Sequence, residues 1–196
     1  SVHLRQDFTY RTSHMDLNAA ENDLATVIGF DPFICGMVKR LAGGTLQRLM
    51  ATAEDREQKE ADGLSVAVQR EDIERIIANL QAELLPRGYR AFWSERCEPN
   101  GLKQTAEVVV LKTIDSYQII QFRRPDGANY GVFTDDIVAK LREWESRCQL
   151  TVFGAASDWV AIEFQALPED ICRFAEEVHE FCPDSVEQGV GLMNES

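Results

Sequence analysis

Two β-rich runs, 150–156 and 159–166, are separated only by Ser157-Asp158, and a helix-patterned segment follows at once. A two-residue connection makes the two strands antiparallel, because a parallel crossover needs a dozen or more residues. The next segment opens near Pro168 and carries Ile171, Phe174, Val178 and Phe181 or Cys182 on one face. Proline suits a first helical position, and Glu169 and Asp170 complement the helix dipole there. The same order is read upstream: β-rich 107–114, the connection Asp115-Ser116, then β-rich 117–124. After the turn Pro125-Asp126-Gly127, Thr134 caps a helix bearing Ile137, Leu141, Trp144 and Cys148. Two β-β-α units in succession predict an α+β fold, an antiparallel sheet covered by helices on one face. A parallel doubly wound sheet is not expected.

Before these units the chain reads as helical. Residues 17–28 form a short helix stopped by Gly29, and Asp31-Pro32 opens a second with Phe33, Ile34, Met37, Val38 and Leu41. Gly43-Gly44 interrupts it ahead of Leu46, Leu49 and Met50. The charged stretch 51–62 is read as a solvated helix end or a linker. Ile73, Ile76, Ile77, Leu80 and Leu84 make one stripe of an amphipathic helix, ended by Pro86-Arg87-Gly88. Tyr89, Ala91 and Trp93 then alternate as in a strand. The organisation expected is an N-terminal helical segment, 1–62, and an α+β domain, 63–196. Ser13-His14-Met15 reads as a cloning junction or as native sequence, which leaves the origin of 1–14 open.

The formal net charge is −13, and residues 131–196 carry 14 acids against 4 bases. A field of that sign repels phosphate backbones and attracts basic partners, so no nucleic-acid ligand is expected. No apolar run reaches the length of a membrane helix, so no membrane partner is expected either. The five cysteines, Cys35, Cys97, Cys148, Cys172 and Cys182, include no CxxC pair. Neither a disulfide framework nor a zinc knuckle is indicated, and a reducing cytoplasm fits.

Few side chains offer chemistry. His179 and Cys182, three apart with Glu176 one turn earlier, are the one Cys–His arrangement, the basis of an alternative reading as a small hydrolase. Cys182 also lies on the apolar stripe and directly precedes Pro183, which favours a packing role. A metal set of Glu176, His179, Cys182 and Asp184 lacks paired-ligand spacing, and no metal or cofactor is expected. Pro125-Asp126 has no later Glu-x-Lys, since Glu57-Gln58-Lys59 precedes it, so a metal nuclease is disfavoured. Gly189-Val190-Gly191 lacks the third glycine and following helix of a phosphate loop.

Several unlike motifs then occur in a consistent order. Gly127, Asn129-Tyr130, Asp136-Ile137 and Lys140-Leu141 with Trp144 precede Asp158-Trp159-Val160 and Leu167-Pro168. Phe174-Ala175-Glu176-Glu177-Val178 and Phe181-Cys182-Pro183-Asp184-Ser185-Val186-Glu187-Gln188-Gly189 follow. This set, over roughly 105–192, resembles an uncharacterised bacterial domain family with a C-terminal FCPDxVxQG signature. Some of its members are immunity proteins of type VI secretion toxins. The resemblance implies an immunity protein that neutralises a cognate toxin, and the acidic charge suits a toxin with a basic cleft, such as a nuclease effector, whose active site the chain would occlude without catalysis of its own. The free protein is expected to be a monomer or weak dimer, with a dimer through the sheet edge as a blander module. The partner surface expected comprises Glu176, Glu177, Glu180, Asp184 and Glu187 as carboxylates, with Asp158 and Trp159 at the 157–158 turn. Tyr130 is a second candidate aromatic anchor.

Overall fold

The computed structural model describes residues 17–97 and 104–183. Its elements run α1 (Ala19–Val27), α2 (Pro32–Ala42), β1 (Gln47–Thr52), β2 (Gln58–Ala67), α3 (Ile73–Leu84), β3 (Arg90–Cys97) and β4 (Gln104–Leu111). They continue with α4 (Gln118–Arg123), α5 (Thr134–Glu145), β5 (Leu150–Ala155), β6 (Val160–Phe164) and α6 (Ile171–Phe181). The fold is α+β with an N-terminal helical segment, as the sequence predicts. The six strands form one sheet in the order β1-β2-β4-β3-β5-β6. Every pairing is antiparallel except β3 with β5, which meet at Trp93 and Gly154.

Local chemistry sets the helix starts. Asn18 and Glu21 form a reciprocal capping box on α1, each side chain accepting the other's backbone N–H at 2.9 Å. Glu21 also accepts from Lys39 Nζ at 2.7 Å, which ties α1 to α2. The five residues of the predicted α3 stripe are all buried.

Four expectations are corrected. The charged stretch 51–62 is not a helix end or linker: Gln58–Ala67 is a strand paired with β1, and it runs through the division placed after residue 62. Its outer half carries Lys59, Glu60 and Asp62, paired with β1 but extending past the β4 pairing of Leu64–Ala67, and charge on that unpaired side discourages pairing with other chains. The stretch 117–124 is helical rather than a strand. Asp115 accepts from Tyr117 N–H at 3.0 Å to start the turn, and Ile119, Ile120 and Arg123 go inside on one helical face. Helices cover both faces of the sheet instead of one. On β4, Val108 and Val110 join the core under α1–α3, whereas Val109 and Leu111 join the core under α4–α6. Finally, both later helices start away from the residues expected. Thr134 is the first helical residue of α5, with its hydroxyl on the Pro125 carbonyl, and Asp136 accepts from Phe133 N–H at 2.9 Å. α6 starts at Ile171 rather than near Pro168, and Asp170 caps it by accepting from Arg173 N–H at 3.0 Å. The second β-β-α unit itself, β5-β6-α6, stands.

The second core also contains a buried charged group. Arg123 and Glu107 are 4% and 1% exposed, and they form an ion pair between α4 and β4. Ser65 donates to the same carboxylate, and Arg123 Nη1 donates to the Met50 carbonyl at 2.6 Å.

Candidate functional site

Among the described residues, the strands β5 and β6 are fully covered on one side and only partly on the other, where Phe153 packs against the edge of the core under α1–α3. Leu150, Val152 and Ala155 are buried in the core beneath α4–α6, where Trp144 meets Phe174 at 5.2 Å and Phe181 at 5.8 Å between ring centroids. On the opposite side Thr151, Phe153 and Ala161 are half-exposed and Glu163 is exposed. The helices α1–α3 pack over β2, β4 and β3 and stop short of this part of the sheet. A mixed sheet face that the described residues cover only in part leaves room for another molecule to sit.

Trp159 stands on that partly covered side. Its indole lies 4.5 Å from Trp93 between ring centroids, at an angle of 41°, and Phe153 meets Trp93 edge-on at 6.5 Å. The indole N–H of Trp159 donates to Glu95 Oε2 at 3.4 Å, and Arg70 ion-pairs with Glu95 Oε1 at 3.3 Å. The Arg70 guanidinium also stands 5.4 Å from the Trp93 ring. These contacts hold the half-buried Trp159 in one orientation, which lowers the entropy lost when a partner packs on it. Asp158 beside it is exposed. Trp93 and Arg70 were outside the sequence-based site. The pairing links residues far apart in the chain, and no local signal reports it.

The acidic helix presents less free charge than its sequence suggests. Glu176 and Glu180 are exposed. Glu177 is held by Arg147, with Nη1 to Oε1 at 3.0 Å, and Arg173 lies 3.8 Å away. The Arg147 guanidinium keeps the Glu177 carboxyl below its ordinary value. Lys140, Glu143, Arg147, Arg173, Glu177 and Glu180 line an open groove of about 530 Å³ between α5 and α6, with both signs interleaved. Asp184 and Glu187 lie outside the described residues. The structure therefore brings Asp158 and Trp159 together at the 157–158 turn and sets Glu176, Glu177 and Glu180 on α6. Ile171, expected on the buried stripe, is 54% exposed because only Phe174, Val178 and Phe181 face the core.

His179 is exposed, and Cys182 closes α6 in an extended conformation, half-buried. Burial pushes the Cys35 thiol up to about 11 and the Cys148 thiol up as well, which suits cysteines that pack rather than react. Tyr130 is 45% exposed. Among the described residues, no group of three or more His, Cys, Asp or Glu side chains could hold a metal ion. None of the described helices is long and apolar enough to cross a membrane.

A mixed sheet with helices on both faces, extended by a β-β-α unit that is partly bare on one side, is the class of domain these observations define. Residues 107–196 match a family described as a domain of unknown function (DUF4253), close to the span the motifs indicated. No curated protein and no solved structure matches the chain. The matched segment starts at Glu107 and so includes the buried ion pair, β5, β6 and α6.

Proposed function

We propose that this is an immunity protein: it binds a cognate secreted toxin in the cytoplasm and occludes its active site, with no catalysis of its own. A nuclease effector of type VI secretion suits the sign of the charge. The observation that carries the reading is the braced Trp159 on a partly bare sheet face, beside the exposed carboxylates of Asp158 and Glu163. A rigid aromatic anchor ringed by charge is the composition of an interface hot spot. The resemblance of the C-terminal motifs to a family with immunity members supports the same reading.

The free carboxylates of Glu176 and Glu180 would steer approach to a basic cleft more than add affinity. Reversing both to Lys is expected to slow association about tenfold at low salt, with the difference fading at high salt. Glu177 is left intact because its charge is already balanced by Arg147. Stopped-flow association rates at several salt concentrations check this, and equal rates at every concentration would remove these residues from the approach surface.

The class is tested by co-expression with the product of the adjacent gene. Rescue of growth, together with co-purification at fixed stoichiometry, is the outcome expected. A neighbouring product that is harmless alone and elutes separately would overturn the proposal.

A further inference from the structure

On the α4 side of the sheet lies a cavity of about 320 Å³ that adjoins the proposed partner surface at Glu95 and the 157–158 turn. Its size falls at the lower end of small-molecule sites. Three arginines from three separate parts of the chain line it: Arg56 from the β1–β2 turn, Arg96 from β3 and Arg123 from α4. Three cations converging on one space is unexpected in a chain with a net charge of −13. Like charges repel.

Carboxylates balance two of the three arginines. Glu107 neutralises Arg123, and Asp126 neutralises Arg56. Glu95 also borders the cavity, but its carboxylate is engaged with Arg70 and Trp159. Among the described residues, Arg96 ion-pairs with no carboxylate, and its guanidinium donates to the neutral Gln47 amide oxygen. The buried Arg123 Nε has no hydrogen-bond partner. Burial lowers the Arg123 guanidinium from its ordinary value, Glu107 opposes this, and the nearby Arg96 charge adds to it.

The backbone around the cavity is strained as well. Arg56 and Arg124 have φ of 67° and 47°, the non-glycine residues in the left-handed region among those described. The Arg56 guanidinium donates to the Arg124 carbonyl at 2.8 Å, so the two conformations are coupled. Left-handed backbone at non-glycine positions is unfavourable, and it concentrates where geometry serves a site. Thr52, Gln58 and Ser157 add neutral hydrogen-bonding groups, while Met50 and Ala156 supply an apolar wall.

We infer that this cavity binds a small oxyanion, a phosphate group carried by inorganic phosphate or by a phosphorylated small molecule. Guanidinium groups match phosphate through paired N–H donors, and a bound phosphate would supply the negative charge that Arg96 lacks. The inference does not rest on the proposed function.

Isothermal titration of the intact protein with inorganic phosphate and with adenosine monophosphate, in chloride of matched ionic strength, tests it. Saturable binding with Kd near or below about 1 mM is expected for at least one of the two. Arg96→Gln is expected to weaken it at least tenfold, and Arg75→Gln, on the exposed surface of α3, to leave it unchanged. Equal affinities would mean that the phosphate alone is recognised. Tighter binding of the nucleotide would mean that the apolar wall also takes part, and either pattern supports the site. No saturable binding of either probe, or undiminished binding by a folded Arg96→Gln protein, overturns it.

Discussion

Glu107→Ala is expected to lower the free energy of unfolding by about 3–5 kcal/mol, the largest single-residue loss in this fold. Glu107 is 1% exposed and accepts from both Arg123 and Ser65. Without it the Arg123 cation, itself 4% exposed, keeps only the Met50 carbonyl as a partner. An uncompensated charge buried on all but its cavity side is costly because water solvates it poorly there, and the variants are compared in phosphate-free buffer. The attraction within the pair is not the source of the effect: two ions removed from water regain about what they lose. The double variant Glu107→Leu with Arg123→Met should therefore recover most of the loss. Urea denaturation of the three proteins checks both statements. A single-variant loss below about 1 kcal/mol would mean that water reaches Arg123.

The second large effect is expected at the one parallel contact of the sheet. A Cβ on Gly154 would lie 2.9 Å from the Trp93 carbonyl carbon and closer still to its oxygen. These are backbone atoms, which cannot swing aside, so β3 and β5 must separate. Gly154→Ala is expected to cost about 3 kcal/mol, at the upper end for overpacking. It should also disturb the Trp93–Trp159 pair, visible as a change in near-ultraviolet circular dichroism. Gly127→Ala serves as the contrast. Its nearest neighbour is Val132 Cβ at 3.5 Å, an ordinary contact, and the change should stay within about 0.5 kcal/mol. Similar losses at the two positions would show that the β3–β5 contact is looser than described.

How far the sequence reports this molecule depends on whether the signal is local. The α3 stripe is legible because five apolar residues repeat at helical spacing and all five are buried. The β5-β6-α6 unit is legible because a two-residue turn and a helix cap are short-range devices. The first unit misleads at 117–124, where adjacent isoleucines look like strand. The buried set there, Ile119, Ile120 and Arg123, includes an arginine that a polarity pattern assigns to solvent. The β1–β2 hairpin is hidden for the opposite reason, since its exposed edge is almost all charge. Helices on both faces would have been detectable in the unbroken apolar run Val108–Leu111, the mark of a strand buried on two sides.

The same distinction applies to the candidate surfaces. Trp159 is conspicuous because it follows a turn, whereas the Trp93, Arg70 and Glu95 side chains that brace it come from β3 and the segment before α3. The carboxylates of α6 are plain in sequence, but the neutralisation of Glu177 depends on Arg147 from the end of the preceding helix. The arginine-lined cavity draws on a turn, a strand and a helix that no spacing rule connects.

The affinity of the Trp159→Ala protein for its toxin, measured by titration calorimetry beside the unaltered chain, bears most directly on the claim that this face binds a partner. Trp159 is half-buried and outside both main cores, so the variant should remain folded. Loss of an aromatic anchor predicts a Kd raised about 30-fold or more, equivalent to about 2 kcal/mol. A Kd within about twofold of the original, in a protein with unchanged far-ultraviolet circular dichroism, would place the interface elsewhere.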